Sequence, residues 1–558
     1  MSDSQSAQGT AVPGGQQASD NHDPLDPEKA RGLRALKRVF ALEYVLQGLA
    51  NPFQGITYQP FFRHFTVDYG LSPAATQLYF SQSYLAWSFK PIIGFLIDAW
   101  GRTRVILLSL LTMAVAGYLL TPLVDLSAQL FFYFMFLLSV VLAATDVAVD
   151  RATVVAGEEE AQATGRSRAS TVGLNQAICW TAIYGTGILA AVSGGWIADH
   201  VQFHWLMLGL AIVPLAVLAA VWFLPRDKAV PIPLGHSINN FWEGLNTGPV
   251  LWIIVFYFLF HFQPAMGALW TNYLLDSLHF TQTEAGIGDG ASNLGLFLGV
   301  IIFAWLGVRW QDRMGLKNLF KIYILLSIVI NLTQYLVVDP WFSRITGGLH
   351  TMLPFLPESS VRLGYMCVYN FVLATVTGLI RMSTFSLVGA VIPVAAAGSL
   401  FAGFMSVANL AYSFSYSSGA WLYDNGLALG FMRVIQESVF DLPARSGAPL
   451  SIQMLILIGS LAYLLSFFAA HMLPDLKRTV SGHVEDAGDI GAAQHRQLDA
   501  NLRTVVNSLS LLSGLAGFLW GWKLLGLNPI SAALMSFFLI TFLRKLVLDS
   551  AWKRARNA

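Results

Sequence analysis

Charged side chains inside long apolar segments are the residues of this sequence best suited to chemistry: Lys90, Asp146, Asp150 and Arg381. A charge within a bilayer is expensive, so an ionisable residue there usually serves a substrate, an ion or a proton. Asp146 and Asp150 are one helical turn apart and therefore share a helix face. Arg381 can bind a carboxylate through its bidentate guanidinium, and Lys90 can hold an anion or pair with an acid.

The two aspartates leave alternatives open. Two carboxylates on one apolar face repel each other, which makes the pair a candidate proton carrier. Equally, Asp146 can pair structurally with Lys90, and Asp150 can lie at the membrane interface beside Arg151. Lys90 itself can extend its charged end to the interface. The pattern thus predicts that these residues bind substrate or protons, without excluding a structural role.

Polar residues at steps of three or four indicate further helix faces. Glu43 and Gln47 are one turn apart in the first apolar segment, Asn409 follows Ser406 in a late segment, and Asn175 adds an amide to a third. Such residues face a water-filled cavity or a neighbouring helix. We therefore predict that Glu43, Gln47, Asn175 and Asn409 contribute to the site, although helix packing explains the stripe around Asn409 equally well.

The composition indicates the class of protein. Of 558 residues, 55% are hydrophobic and 12% are charged, whereas soluble domains carry about 25% charged residues. Apolar runs long enough to span a bilayer must be helical, because backbone groups in lipid have to be hydrogen-bonded internally. We predict an all-α polytopic membrane protein surrounded by lipid. The net charge of +1 gives no indication of a nucleic-acid partner.

Motifs of enzymes and of nucleotide-driven pumps are missing from the sequence. It contains no nucleophile–base set, no Walker sequence and no clustered metal ligands. Its two cysteines lie singly in apolar segments, where they are expected to pack as small hydrophobic residues. We therefore expect a monomer that acts on a small-molecule substrate, without enzymatic activity, cofactor or metal.

Twelve apolar segments, a polar break and two further segments define the predicted organisation. The divisions are a disordered tail (1–36), an N-terminal six-helix half (37–225), a central loop (226–249), a C-terminal six-helix half (250–473), a linker (474–501), a transmembrane hairpin (502–549) and a basic tail (550–558). Lysine and arginine concentrate in the loops on the side of both termini. This asymmetry predicts cytoplasmic termini in a multi-pass protein of the bacterial inner (plasma) membrane.

The two halves share short sequence matches. Residues Ser193–Asp199 parallel Ser418–Asp424, with Ser, Gly, Trp and Asp in register. The matches predict a duplication of six helices, the architecture in which two halves rock about a central site.

The segment Gly94-Phe-Leu-Ile-Asp98-Ala-Trp-Gly101-Arg102-Thr-Arg104 resembles the loop signature between helices two and three of the major facilitator superfamily. Its glycines permit a tight turn and close helix approach. Asp312, with a glycine three residues later, repeats part of it in the second half. The resemblance implies the major facilitator fold, with a latch between the halves formed by Gly94, Asp98, Gly101, Arg102, Arg104 and Asp312. The alternative is that these charges only set the orientation in the membrane.

Several segments resemble the folate–biopterin transporter family, a branch of that superfamily. They are Leu71–Ala74, Phe89–Phe95, Thr145–Asp150, Gly398–Ala402 and Met405–Asn409. The match follows the chain in order from about residue 40 to about residue 475, and excludes the N-terminal tail and the final hairpin. The family's acidic residue at the start of the Gly398 segment is not evident here.

This resemblance implies a secondary transporter that moves folate or a pterin by alternating access, with protons as the coupling ion. Two alternatives stay open. One is a permease for another organic anion such as a muropeptide. The other is a non-transporting membrane assembly factor with a degenerate transporter fold, although the retained charges at Lys90, Asp146 and Arg381 argue against it.

Overall fold

The computed structural model describes residues 27–473, apart from gaps at 165–167, 225–230, 246–247, 265, 308–309, 311–312, 315, 392–396, 445–447 and 472, and also residue 536. The described residues form α-helices joined by short 3-10 and π-helical turns, with no strand among them. The predicted all-α class is confirmed. The hairpin predicted at 502–549 lies outside the described residues, apart from residue 536.

Nine α-helices form the described part of the chain up to residue 222. They are α1 (Pro27–Ala50), α2 (Tyr58–Arg63), α3 (Pro73–Ser88), α4 (Lys90–Trp100), α5 (Thr103–Val124), α6 (Ala128–Thr164), α7 (Arg168–His200), α8 (Phe203–Leu210) and α9 (Ile212–Trp222). Helix α1 starts at a proline, which suits the first helical position, and it includes residues 27–36 of the predicted tail.

Ten α-helices follow in the described residues from 234 to 471. They are α10 (Leu234–Leu245), α11 (Gly248–His261), α12 (Gly267–Asn272), α13 (Gln282–Ile302), α14 (Leu316–Leu332), α15 (Trp341–Met352), α16 (Glu358–Val391), α17 (Ala397–Asn425), α18 (Gly430–Phe440) and α19 (Ile452–His471). The short helices α10, α15 and α18 lie in segments that the sequence analysis treats as loops.

Eight helical stretches of the described chain are long and apolar enough to cross a bilayer. They are Thr103–Val124, Ala128–Ala161, Ile178–His200, Phe203–Trp222, Gln282–Ile302, Lys317–Val337, Glu358–Thr384 and Ile452–His471. The other predicted spans coincide with helices broken at 51–57, 89 and 262–266, or with the serine-rich α17. Division into twelve spans plus two remains a prediction.

The first break separates α1 from α2 and is closed by side chains. Pro52 follows the end of α1, and Gly55 takes a φ of +47°, a conformation that glycine adopts without strain. The Thr57 hydroxyl donates to the Asn51 carbonyl at 2.7 Å. Phe53, inside the turn, packs against the ring of Phe61 at 5.2 Å. A non-helical turn is tolerated here because protein groups satisfy and cover it.

The second break, between α11 and α12, is closed by the two neighbouring helices. Pro264 interrupts the helix. The Gln263 amide donates to the Ser415 hydroxyl of α17 at 2.9 Å, and the Leu269 amide donates to the side-chain carbonyl of Gln77 on α3 at 3.1 Å. The amide of Gln77 also donates to the Tyr416 carbonyl at 3.1 Å. Gln77 therefore joins the N-terminal half to two helices of the C-terminal half.

Helices α7 and α13 cross through glycines on the side of the molecule opposite to the start of α1. We call that side the far face, and the other the N-terminal face. A Cβ atom at Gly195 would lie 2.5 Å from the Gln282 carbonyl oxygen. Nearby, the Asp199 carboxylate accepts from the Thr283 amide at 2.8 Å and from its hydroxyl at 2.6 Å. These contacts join the two halves at the far face.

Gly195→Ala is expected to lower the free energy of unfolding by about 1–3 kcal/mol, because overpacking at a tight contact costs that much. Gly185→Ala, on the same helix, is the matched control, since a Cβ there meets no atom within 4 Å. Helix propensity alone should stabilise that control by about 0.5–1 kcal/mol. Thermal unfolding in one detergent compares them, and equal midpoints would contradict the close crossing.

Candidate substrate and coupling site

A buried ion pair connects α4 with α6. Lys90 is the first residue of α4, and its ammonium contacts the Asp146 carboxylate and lies 3.9 Å from Asp150 Oδ2. The exposed fractions of Lys90 and Asp146 are 5% and 6%, so Lys90 does not reach for the interface. The Tyr44 hydroxyl donates to Asp150 Oδ1 at 2.8 Å. The structure therefore brings Lys90, Asp146 and Asp150 together, as the alternative of a pair between Asp146 and Lys90 anticipated.

Glu43 lies beside this ion pair on α1 and is fully buried. Its Oε1 atom accepts from the Thr145 hydroxyl at 2.6 Å and from the Gln47 amide at 2.8 Å. Its Oε2 atom is buried with no hydrogen-bond partner in the described part of the chain. Thr145 precedes Asp146, so Glu43 and the Lys90 pair contact adjacent residues of α6. An oxygen without a partner in this position suits a carboxyl group that binds a proton.

Each of the two predicted asparagines donates a hydrogen bond to a backbone carbonyl. Asn175 is buried and its amide donates to the Thr153 carbonyl at 3.1 Å. Asn409 is half-buried, and its amide donates to the Met405 carbonyl one turn earlier on α17 at 3.0 Å. Neither hydrogen bond involves the Lys90 pair or Arg381, so the geometry gives no support for a direct role of these two residues.

Arg381 occupies the C-terminal half, on α16, and is half-buried. Its Nη2 atom donates to the Tyr412 hydroxyl at 3.3 Å, and the Tyr184 hydroxyl also lies close to the guanidinium. Within the described residues no carboxylate forms an ion pair with it. The ring of Tyr84 packs 5.6 Å from Tyr412. The site is a cation among tyrosines with no acid to neutralise it in the part of the chain that the structure describes.

Aromatic rings connect the two charged clusters. Tyr44, which bonds Asp150, has its ring centroid 6.2 Å from that of Trp180, and Trp180 lies 5.8 Å from Tyr184. Tyr184 in turn approaches Arg381. Tyr44 and Tyr184 are buried, so these rings form a packed aromatic connection between the two clusters.

The signature that starts at Gly94 makes its described contacts mainly within the N-terminal half. Asp98 Oδ1 accepts from Arg151 Nε at 2.9 Å. Arg104 donates to the Trp222 carbonyl at 2.7 Å, which satisfies the C-terminal end of α9. Arg102 is exposed. Asp98 therefore links α4 to α6.

One glycine of that signature has a clear structural reason. Gly101 ends α4 with a φ of +69°, a conformation that glycine adopts without strain. A Cβ at Gly94 would lie 3.7 Å from the Val147 side chain, an ordinary contact distance, so packing does not require glycine there. The α10 helix reaches this region, because Ser237 donates to Asp98 Oδ2 at 3.3 Å. Asp312 lies outside the described residues. The predicted latch between the halves thus remains a proposal.

Asp289 is a functional candidate that the sequence analysis missed. It lies on α13 within an apolar, glycine-rich segment, and its Oδ2 atom accepts from Gln59 Nε2 of the N-terminal half at 3.1 Å. Tyr58, the residue before Gln59, makes a similar contact between the halves: its hydroxyl lies 3.1 Å from that of Thr271. The sequence did contain a signal for it, because an acidic residue within an apolar segment suggests a functional site.

A second titratable cluster lies at the far face. His64, Asp68 and Asp125 are outside the apolar stretches, and His204 is the second residue of Phe203–Trp222. His64 bridges Asp68 at 2.6 Å and Asp125 at 3.1 Å, and His204 contacts Asp125 at 2.6 Å. Burial alone would lower the pKa of His64, but hydrogen bonds to the two aspartates outweigh it and raise that pKa. Burial opposes ionisation of Asp125, yet hydrogen bonds from His64, Tyr69 and His204 lower its pKa to about 2.

Two surface cavities occur near these elements. One of about 380 Å³ at the far face includes Arg63, His64 and His200, and one of about 300 Å³ lies between Tyr79 and Tyr133. Neither is lined by Lys90, Asp146 or Arg381. The candidate site is therefore defined by its buried charges and rings.

The sequence model of the Major Facilitator Superfamily matches residues 45–340, just over half of the 558-residue chain. A folate-biopterin transporter of Synechocystis sp. is 24% identical over 377 residues, covering 64% of this chain and 69% of the relative. A protein of Arabidopsis thaliana described as "Probable folate-biopterin transporter 4" is 26% identical over 174 residues, covering 30% of this chain and 35% of that protein. The resemblance drawn from the segments around Lys90 and Asp146 is thereby confirmed.

Solved structures with the same fold are transporters. The nucleoside transporter NupG aligns with a TM-score of 0.52 at 13% identity over 79% of this chain and 98% of that one. The POT family transporter PepTSo aligns with a TM-score of 0.57 at 12% identity, over 79% and 97%. A D-xylose-proton symporter gives a TM-score of 0.52 at 15% identity, over 79% and 98%. At these identities the likeness concerns the fold.

Proposed function

The chain belongs to the Major Facilitator Superfamily, and on that premise we propose that it moves folate or a pterin across the membrane by alternating access driven by protons. A transporter of this superfamily is a multi-pass integral membrane protein that carries a small molecule. The choice of folate or pterin rests on the names of the two relatives and on the chemistry of the site.

The observation that carries the proposal is the environment of Arg381. A guanidinium among tyrosines, without a carboxylate partner in the described residues, is costly unless an anion joins it. A substrate carboxylate can take that place through a bidentate pair. Folate has both a carboxylate and a flat ring, and Trp180 and Tyr184 supply aromatic faces beside the guanidinium.

The N-terminal half supplies the groups proposed for proton coupling. Lys90 carries one positive charge and can neutralise one carboxylate. It contacts Asp146 and lies near Asp150, and Glu43 contacts the residue before Asp146. Three carboxyl groups and one ammonium in a buried cluster favour retention of a proton. Loss of that proton when the cluster reaches water on the other side would drive the halves from one arrangement to the other.

The orientation follows from the charged loops. We propose that the N-terminal face is cytoplasmic and the far face extracytoplasmic, in a bacterial inner membrane. In that orientation, the close α7–α13 crossing supports a conformation in which the path to the extracytoplasmic side is shut. On the cytoplasmic side, the halves would be latched through the signature residues Gly94, Asp98, Gly101, Arg102, Arg104 and Asp312, with Asp98 held by Arg151 and Ser237.

Uptake into proteoliposomes tests the proposal. Labelled folate and a simple pterin are each expected to accumulate when an inward-directed proton gradient is imposed, and to equilibrate slowly without one. Asp146→Asn should abolish gradient-driven accumulation, because the ammonium of Lys90 then loses its closest charged partner.

Two outcomes would redirect the proposal. If correctly inserted protein takes up neither compound, folate and pterin are wrong, and the alternative of another carboxylate-bearing solute, such as a muropeptide, is screened in the same vesicles. If uptake proceeds equally with and without the gradient, proton coupling is wrong. Asp276→Asn, the same substitution at an exposed carboxylate outside the charged clusters, is the matched control for insertion and transport.

A further inference from the structure

We propose that Asp289 is the residue whose protonation allows the far face to close. The inference rests on the alternating-access function proposed above and names a residue through which a proton would act on it. Asp289 follows Gln282, the first residue of α13, by seven positions, which places it about 10 Å along the helix from the far-face end. It therefore lies between Gly286 and Gly290, in the part of α13 that contacts the other half.

Contacts between the halves cover Asp289, which is half-buried, on its far-face side. A Cβ at Gly286, one turn before it, would lie 2.6 Å from the Ala191 carbonyl of α7, and one at Gly290 would lie 2.6 Å from the side chain of Val192. On the opposite side, Gln59 of α2 reaches Asp289 across the boundary between the halves. Separating the halves at the far face would break the Gln59 contact and admit water to the carboxyl group.

The surroundings of Asp289 offer it no positive charge within the described part of the chain. Gln59 is the one side chain that hydrogen-bonds it there, and the titratable groups that face it are Tyr58 of α2 and Tyr416 of α17. Helix α7 brings Val192 and α16 brings Asn370, both neutral. An ionised carboxylate in such a place is expensive, whereas a protonated one is tolerated.

Gln59 is suited to hold either protonation state. Its amide nitrogen donates to Asp289 in the described arrangement, while its Oε1 atom is buried without a hydrogen-bond partner in the described chain. A protonated Asp289 can donate its O–H to that oxygen after a rotation of the amide. When the far face is open, a carboxylate oxygen of Asp289 takes a proton from water. When the carboxyl group is next exposed to water it returns that proton, so no other reactant is needed.

Distances between spin labels test this without any substrate. Labels are placed on Leu126→Cys and Ser277→Cys, which are exposed positions in the two halves at the far face, after replacement of Cys179 and Cys367 by alanine. In otherwise unchanged protein, the long-distance population is expected to grow as the pH rises from about 5 to about 8.5. In Asp289→Asn the short distance should dominate throughout, because the neutral amide imitates the protonated acid.

Three further variants make the result decisive. Asp276→Asn removes an exposed carboxylate of the far-face end and should respond like the unchanged protein, while Asp289→Glu should keep a pH response. Asp289→Ser, also neutral, replaces the Asn variant if that one fails to fold. A pH response that survives in the neutral variants, or no response in the parent, overturns the inference. Failure of folate uptake would instead count against the proposed substrate and leave this readout unaffected.

Discussion

Lys90→Met is expected to abolish proton-driven uptake and to lower the free energy of unfolding by about 3–5 kcal/mol. Lys90 is buried together with Asp146 and lies 3.9 Å from Asp150. Removing the ammonium leaves two carboxyl groups one turn apart on α6, with Glu43 close by and no cation between them. Breaking a buried pair costs this much because the remaining charge stays desolvated, and transport is lost because the cluster then keeps its protons.

The double variant Lys90→Met/Asp146→Asn separates stability from coupling. Replacing both partners of a buried ion pair by neutral groups is often nearly neutral for stability, so its unfolding midpoint should return towards that of the parent protein. Gradient-driven uptake should remain absent. If the double variant transports at the parent rate, the pair is structural, and proton coupling must be sought at other carboxyl groups such as Asp289.

Lys37→Met is the matched control for loss of a lysine charge. Lys37 also pairs with a carboxylate, Glu160, at 2.7 Å, but the two side chains are 20% and 11% exposed. Water screens such a pair, so its removal should cost about 1 kcal/mol or less. Detergent unfolding curves and uptake rates of the two lysine variants are measured side by side. Equal losses would contradict the special position of Lys90.

The Lys90 cluster was accessible to sequence reasoning because its signal is local. Asp146 and Asp150 share a helix face whatever the rest of the fold does, and a lysine in an apolar segment needs an anion. The helical class followed equally directly from the length of the apolar runs. The same local logic left two readings open at Asn409, whose amide bonds its own helix at Met405, and its role stays a prediction. A polar stripe does not reveal whether its members are already satisfied.

The contacts between the halves could not be read from the sequence. Gln59 and Asp289 are 230 positions apart, and their meeting depends on the turn between α1 and α2 that redirects the chain near Gly55. Pro52 and Gly55 are local signals for a turn, but no local rule gives the direction in which the chain continues after it. The break at Pro264 also depends on residues distant in sequence. Ser415 accepts from the backbone amide of Gln263, and Gln77 accepts from that of Leu269.

Arg381→Gln is expected to raise the KM for folate by about 10- to 150-fold, since a hydrogen bond to a charged group is worth about 1.5–3 kcal/mol. The unfolding midpoint should change little, because Arg381 has Tyr412 and Tyr184 as neighbours and no ion pair to lose among the described residues. Concentration-dependent uptake of folate and of a pterin without a carboxylate distinguishes the roles. The KM of the pterin should stay within a few-fold of its original value.

Arg362→Gln on the same helix is the matched control for this comparison. Arg362 donates to the Leu278 carbonyl at 2.6 Å and stacks 5.5 Å from the ring centre of Phe280, so its loss should lower stability and leave both KM values unchanged. Arg381→Lys keeps the charge but loses the bidentate geometry, and it should fall between the parent and Arg381→Gln. If Arg381→Gln weakens folate and pterin equally, the guanidinium does not bind the carboxylate, and its contacts with the tyrosines shape the cavity instead.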